Sequence, residues 1–292
     1  MSPSTAASLL TRGVFERCEV EISGAPADAT PGAWGIAVEA PVEIALNGAA
    51  WTVMLATPAD LDDLAVGLAL TERVLRDARA VQAIHVSEYL SDITVNLVVP
   101  EEYVDASAMR TRSLVGSTAC GLCGLESLAQ LHARSDRDAA GDAAGEAAAA
   151  FRALHSVTDD AIVAAFTELP TRQPINRETH SVHAAAWCDP DGAITLVRED
   201  VGRHNALDKL IGALARRDML KQPGFIVMTS RCSYELVYKA TVANTLVLAT
   251  LSAPTTMALR WAEALALPLV CRAGGAHPTR LVRFLQVNAD AE

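Results

Sequence analysis

The most constraining feature of this chain is its second half, where helical and strand patterns alternate with short connections from Asp159 onward. Asp159 to Leu169 has helical spacing. Val182 to Cys188 and Ala193 to Arg198 read as a hairpin joined by Asp189-Pro190-Asp191-Gly192. Asn205 to Ala215 is helical, and Gly224 to Met228 reads as a buried strand. Tyr234 to Ala243 is helical again, and Thr245 to Leu248 reads as a strand. Ser252 is placed to cap a helix with Pro254 in its first turn, running to about Leu265, and Leu267 to Cys271 reads as a last strand. This order predicts an α/β class with helices packed on a sheet.

The first half carries weaker signals. Residues 1–35 form a loose segment with one short strand, Glu19 to Ile22. Val42, Ile44 and Leu46 alternate, Asn47-Gly48 supplies a tight turn, and Trp51, Val53 and Leu55 alternate on the return. Thr57-Pro58-Ala59-Asp60 reads as an N-cap, a first-turn proline and an acid near the positive helix end. The helix after it places Leu61, Leu64, Ala65 and Leu68 on one face. Ile93 to Val99 reads as a further strand. Residues 135–150, nearly all Ala, Gly and Asp, read as a flexible insertion. The expected organisation is therefore an N-terminal lobe at 36–134 and a C-terminal lobe at 151–292.

Composition limits what such a fold could do. The 292 residues are 51% hydrophobic but only 4% aromatic, so Ala, Leu and Val must fill the core. With 24 basic and 35 acidic side chains the net charge is −11. That balance argues against a nucleic-acid binder, and any anionic ligand must be held by a local basic cluster. No apolar run is long enough for a membrane span, and the N-terminus lacks the pattern of an export signal. The expected location is the cytoplasm, with cysteines reduced.

Thr118-Ala119-Cys120-Gly121-Leu122-Cys123-Gly124 precedes a helically spaced run from Leu125 to Leu131. A helix N-terminus favours thiolate over thiol at Cys123, and thiolates accept and pass on sulfane sulfur. A redox dithiol remains open, as does a zinc site completed by His180, His183 or His204, and so do two buried small hydrophobes. A second constellation runs from Thr179-His180-Ser181-Val182-His183 to Asp200-Val201-Gly202-Arg203-His204-Asn205. Asp200 and Asn205 can each serve as caps, but Arg203 and His204 in the same turn exceed what capping requires. Thr229-Ser230-Arg231-Cys232-Ser233 and Ser252-Ala253-Pro254-Thr255 are two more strand-to-helix junctions. Ligands gather beyond strand carboxyl ends in open α/β sheets, so these junctions together favour a nucleotide-like pocket.

These residues resemble the formate dehydrogenase accessory sulfurtransferase family, FdhD. The matches are Cys120-Gly-Leu-Cys123-Gly, Asp200-Val-Gly-Arg-His-Asn-Ala-Leu-Asp-Lys209, Ser233-Tyr-Glu-Leu-Val-Tyr-Lys-Ala240 and Ser252-Ala-Pro-Thr255, in the family's order. The resemblance implies a cytidine-deaminase-like layered α/β core with a smaller N-terminal lobe, and a homodimer. It implies sulfur taken as a persulfide from a cysteine desulfurase onto Cys120, with Cys123 assisting. Delivery would be to the bis-molybdopterin guanine dinucleotide cofactor of formate dehydrogenase. It also places a guanine nucleotide pocket in the C-terminal lobe, involving His183, Arg203, His204, Asn205, Ser252, Ala253, Pro254, Thr255 and Val270-Cys271-Arg272-Ala273-Gly274-Gly275. No tightly held metal is expected. Deamination is not expected either, since Ala184-Ala185 follows His183 where zinc deaminases need a glutamate. The chain departs from the family's pattern at Thr179-His180-Ser181, Ser230-Arg231-Cys232, Asn244 and the segment after Leu269. The alternative from another class is a chaperone that holds the cofactor without sulfur chemistry.

Overall fold

The computed structural model describes residues 13–20, 32–89, 92–109, 155–273 and 280–284. Among these, a ribbon of β1 (Phe15–Val20) and β2 (Gly32–Ala37) comes first. The strand expected at Glu19 to Ile22 thus begins earlier, at Phe15. A four-stranded sheet follows, ordered β4-β3-β6-β5, from β3 (Ala40–Leu46), β4 (Ala49–Ala56), β5 (Ala83–Tyr89) and β6 (Asp92–Val98). Helix α1 (Leu61–Thr71) packs on it, and α2 (Ala106–Met109) is a single turn.

The later part contains α3 (Asp159–Glu168), α4 (Pro174–Thr179), β7 (His183–Cys188), β8 (Ile194–Asp200) and α5 (Arg203–Arg216). Then come β9 (Phe225–Met228), α6 (Tyr234–Val242), β10 (Leu248–Thr250), α7 (Thr256–Ala264), β11 (Leu269–Arg272) and β12 (Leu281–Arg283). The strands form one six-stranded sheet ordered β12-β11-β10-β9-β7-β8. β9, β10 and β11 run parallel, and β7 is antiparallel to both β8 and β9, so β8 points the same way as β9. The expected α/β class holds.

Alternate residues of β9 explain why its run reads as continuously apolar. Phe225 and Val227 pack with α3 on one face, while Ile226 and Met228 join the α5, α6 and α7 side. A strand covered on both faces needs no polar alternation. The second of these cores continues through α5 and α1 to Val42, Ile44, Ile93 and Val95 of the four-stranded sheet, all fully buried.

The α1–α5 contact depends on Gly67 and Gly212. A Cβ on Gly67 would overlap the Asp208 carbonyl oxygen, and one on Gly212 would overlap that of Asp63. Only glycine lets the two helix backbones approach this closely. Asp63 then sits between Arg198, 2.7 Å away, and Arg216, 2.5 Å away.

Several sequence expectations are corrected. The register of β3 and β4 slips at Ile44/Ala45, leaving Trp51 as the extra residue of a β-bulge. Trp51 turns inward while Val53 and Leu55 stay exposed, so the expected stripe of all three is broken. Thr57 is not an N-cap: α1 starts four residues later, with Asp60 in left-handed conformation and no side-chain cap bond. The strand expected at Thr245 to Leu248 lies at Leu248–Thr250, because Thr245 Oγ1 accepts from Ile226 N at 3.0 Å and donates to Val247 O at 2.8 Å in the approach to it. Ser252 does not cap α7; Thr255 does, its Oγ1 accepting from Ala258 N at 3.2 Å.

Candidate functional site

Strand directions bring the junctions together. β8, β9, β10 and β11 end at one edge of the sheet, and β7 begins there. Along this edge stand His183, Arg203, His204, Ser230–Ser233, Ser252–Thr255, Arg272 and Ala273. Adjacent loops are tied to one another. Ser252 N donates to Ser230 O at 3.3 Å, Thr255 N to Cys232 O at 3.0 Å, and Cys232 bridges in parallel to Pro254. Thr229 Oγ1 accepts from Ala184 N at 2.8 Å, so this hydroxyl is committed to the scaffold.

The Asp200–Lys209 stretch divides by direction. Asp200 lies 2.6 Å from Lys209 Nζ, and both side chains are fully buried. Its Oδ1 accepts from Gly202 N at 2.8 Å and Asn205 Nδ2 at 3.0 Å, and its Oδ2 accepts from Thr57 N at 3.0 Å. Asn205 Nδ2 also donates to Leu55 O, at 2.8 Å, and Lys209 Nζ donates to Thr57 O, at 2.9 Å. Thr57 therefore joins this network, its Oγ1 accepting from Val201 N at 3.1 Å. Neither Asp200 nor Asn205 is the N-cap of α5; that position is Gly202, where a Cβ would lie 3.0 Å from Asn205 Nδ2. Asn205, expected at the ligand site, instead locks the strand–helix junction.

Deeper still, Lys239 Nζ donates to Asp208 Oδ1 and Oδ2 at 2.9 Å, to Thr71 Oγ1 at 2.9 Å and to Glu72 Oε1 at 3.1 Å. Burial pushes the Asp208 carboxyl up, with Lys239 and Thr71 opposing. These bonds satisfy charges that would otherwise be costly to bury.

Arg203 and His204 remain at the edge, in the first turn of α5. The N-cap of this helix, Gly202, makes no side-chain cap bond, and the positive end of the helix dipole lies at this edge. Helix α6 also lacks a side-chain cap bond from its N-cap, Ser233. The Ser233 hydroxyl lies instead 3.3 Å from His204 Nε2, which is 2.9 Å from Glu235 Oε2. His183 is half-buried at the start of β7. Burial lowers its pKa, the charges of Arg203 and His204 lower it further, and Asp200 opposes them. Among the described residues Arg231, Arg272 and Arg280 form no ion pair, and Ala273 N donates to Arg280 O at 2.7 Å. In an acidic chain, this edge gathers basic side chains and the N-termini of two helices, while its nearby carboxylates, Asp200 and Glu235, are already paired.

Other expected site residues are placed differently. Val270 is core, packed on the α3 face. Cys232 and Cys271 are both buried; burial and then Cys271 push the Cys232 thiol up to about 12, and burial raises Cys271. Neither has the low-pKa, exposed character of a nucleophilic thiol. Cys120, Cys123, Gly274 and Gly275 lie outside the described residues. His180 packs against Trp34 with its ring tilted by 49° and the centroids 5.2 Å apart. Among the described residues no three His, Cys, Asp or Glu side chains gather as metal ligands. No helix there is long and apolar enough to cross a membrane. Glu235 and Arg280, which the sequence reading did not single out, also stand at this edge, Glu235 through its contact with His204.

The fold and this edge define an α/β protein with a rim of basic side chains at the carboxyl ends of a parallel strand run. The chain belongs to the FdhD/NarQ family, whose model matches residues 37–281. It is 40% identical over 252 residues to the Sulfur carrier protein FdhD of Xanthomonas euvesicatoria pv. vesicatoria (strain 85-10), covering 84% of this chain and 85% of that one. The protein of the same description from Cupriavidus necator is 43% identical over 252 residues, covering 84% and 83%. A crystal structure from Desulfotalea psychrophila, described as a candidate formate dehydrogenase accessory protein, shares the fold with a TM-score of 0.63 at 18% identity, over 95% of this chain and 97% of that one.

Proposed function

We propose that this protein is a sulfur carrier for formate dehydrogenase, taking persulfide sulfur from a cysteine desulfurase onto Cys120 and passing it to a bound bis-molybdopterin guanine dinucleotide. Family membership and the relatives' description as sulfur carriers support the chemistry. The observation that carries the ligand half is the convergence of His183, Arg203, His204 and Arg272 on one edge beside the uncapped start of α5. Diphosphate groups of the cofactor are its natural complement. A free guanine nucleotide would use the same edge through its phosphates.

In loading, the Cys120 thiolate attacks the outer sulfur of the donor persulfide. A new S–S bond forms on Cys120, the donor's S–S bond breaks, and the donor leaves as a thiolate with no net oxidation. In delivery, the Cys123 thiolate attacks the Cys120 sulfur, the Cys120–Cys123 disulfide forms as the bond to the outer sulfur breaks, that sulfur leaves as sulfide to the cofactor, and a dithiol reductant, itself oxidised to a disulfide, reduces the pair back to two thiols. The same reading takes the six-stranded sheet, with α3 on one face and α5, α6 and α7 on the other, as the deaminase-like core. It further takes the chain to act as a homodimer in the cytoplasm.

Incubation with a cysteine desulfurase and cysteine, followed by mass spectrometry, tests the proposal. The expected result is one added sulfur on the wild type that disappears in Cys120→Ala. Equal addition to both, or none to the wild type, overturns it. A Cys120→Ala, Cys123→Ala double variant that fully restores formate dehydrogenase activity in a deletion strain would favour the chaperone reading instead.

A further inference from the structure

The contact between His204 and Glu235 assigns a role to a residue outside the edge itself. Nε2 of His204 is 2.9 Å from Glu235 Oε2 and 3.3 Å from Ser233 Oγ. Among the described residues Nδ1 makes no hydrogen bond, so it is the ring nitrogen left for a ligand. Ser233 is the N-cap of α6 and its hydroxyl does not cap that helix. The Glu235 side chain is only 7% exposed. Burial raises its carboxyl, but the hydrogen bond and charge of His204 and the charge of Lys239 outweigh burial and Glu72, leaving it below the usual range. An ionised carboxylate only accepts, which fixes Nε2 as a protonated nitrogen. Lys239 in turn is held by Asp208 and Glu72, which fixes its charge near the Glu235 carboxylate.

We propose that Glu235 is a positioning residue for the edge, anchoring Nε2–H of His204 so that Nδ1 faces a phosphate oxygen of the bound ligand. With both nitrogens protonated, the ring bridges carboxylate and phosphate, one N–H to each. The inference rests on the edge being the phosphate site, as set out above, and adds which buried group orients it.

Calorimetric titration of the full-length protein with inorganic pyrophosphate tests it, on wild type, Glu235→Gln, Glu235→Asp, His204→Gln and the His204→Gln, Glu235→Gln double variant. Glu235→Gln should weaken binding about tenfold, as for loss of one charge-assisted contact. Glu235→Asp should recover part of that loss, and the double variant should be no weaker than His204→Gln alone. Nitrogen-15 spectra of the His204 ring should show a fixed Nε2–H in wild type and mixed tautomers in Glu235→Gln, a change that a purely structural role would not cause. Wild-type affinity in a folded Glu235→Gln protein, or additive losses in the double variant, overturns the inference. If Glu235→Gln does not fold, Glu235→Asp and His204→Gln carry the comparison. Absence of pyrophosphate binding by wild type overturns the edge reading itself, a distinct failure.

Discussion

Asp200, Asn205, Asp208 and Lys209 point into the packing between β8, α5 and the α1 side, whereas Arg203 and His204, from the same stretch, stand at the sheet's carboxyl edge. The inward group is fully engaged: every carboxylate has a cation and further donors. The outward group lies in the first turn of α5, whose N-cap Gly202 makes no side-chain bond, at the edge where His183 and Arg272 also stand. A single sequence block therefore does two jobs, and spacing along α5 separates them. Residues at helix positions 205, 208 and 209 share the face toward α1 and β8, while 203 and 204 fall in the first turn, ahead of the packed region. The lesson is that density of charge in a sequence block does not locate a ligand; direction does.

The sharpest way to break this division is to remove Lys209. Lys209→Met leaves Asp200 buried without its cation, and loss of one partner of a buried pair costs about 3–5 kcal/mol. Urea unfolding should show that loss, whereas Arg272→Ala, at the edge, should change stability by no more than about 0.5 kcal/mol. A Lys209→Met protein as stable as wild type would erase the distinction drawn here.

Acid provides a second, smaller separation. Because the Glu235 carboxyl is lowered in the folded state, its contribution to stability is present above the unfolded carboxylate value. It is lost as pH falls through the folded value. His183, lowered mainly by burial, acts in the same sense, since the unfolded chain takes up that proton more readily. Asp208 and Glu199, both raised by burial, act in the opposite sense. The clean measurement is the difference between wild type and Glu235→Gln, in which the other groups cancel. Wild type should be the more stable near neutral pH, and the gap should narrow as pH falls below the carboxylate range. A gap independent of pH would mean that Glu235 contributes packing alone.

How much of this could be read from residues alone follows the same line. Helices α3, α5 and α6 and the β7–β8 hairpin were readable because an apolar period or an Asp-Pro-Asp-Gly turn acts within a few residues. Trp51 was misread because its inward turn comes from a register slip against β3, which no local pattern on β4 records. Thr57 looks like a cap by type, but Asp200, Lys209 and Val201 claim its backbone and hydroxyl from far along the chain. The strand β12 and helix α4 lacked strong periodicity, and β12 exists by pairing antiparallel with β11. For the edge, the junctions were visible singly, but their convergence depends on β8 running parallel to β9 across an intervening antiparallel β7. Glu235 was hidden because its partner lies on a different helix.

The finest test of the division concerns two hydroxyls in one loop, Ser252 and Thr255. Both are exposed, both precede α7, and by residue type either could be its cap. Thr255 Oγ1 accepts from Ala258 N at 3.2 Å, satisfying one of the helix's unpaired donors. Ser252 is tied through its backbone, its carbonyl accepting from Thr250 Oγ1 at 2.7 Å, and its hydroxyl makes no bond among the described residues. Thr255→Ala should therefore cost about 1 kcal/mol of stability, the usual loss of a cap. Ser252→Ala should leave stability within about 0.5 kcal/mol. Pyrophosphate titration should order the pair the other way, with Ser252→Ala the more damaging to binding. If both variants lose stability equally, the loop caps α7 through both hydroxyls and Ser252 belongs to the scaffold. If Ser252→Ala alone weakens binding, the boundary between scaffold and edge runs between two residues three positions apart.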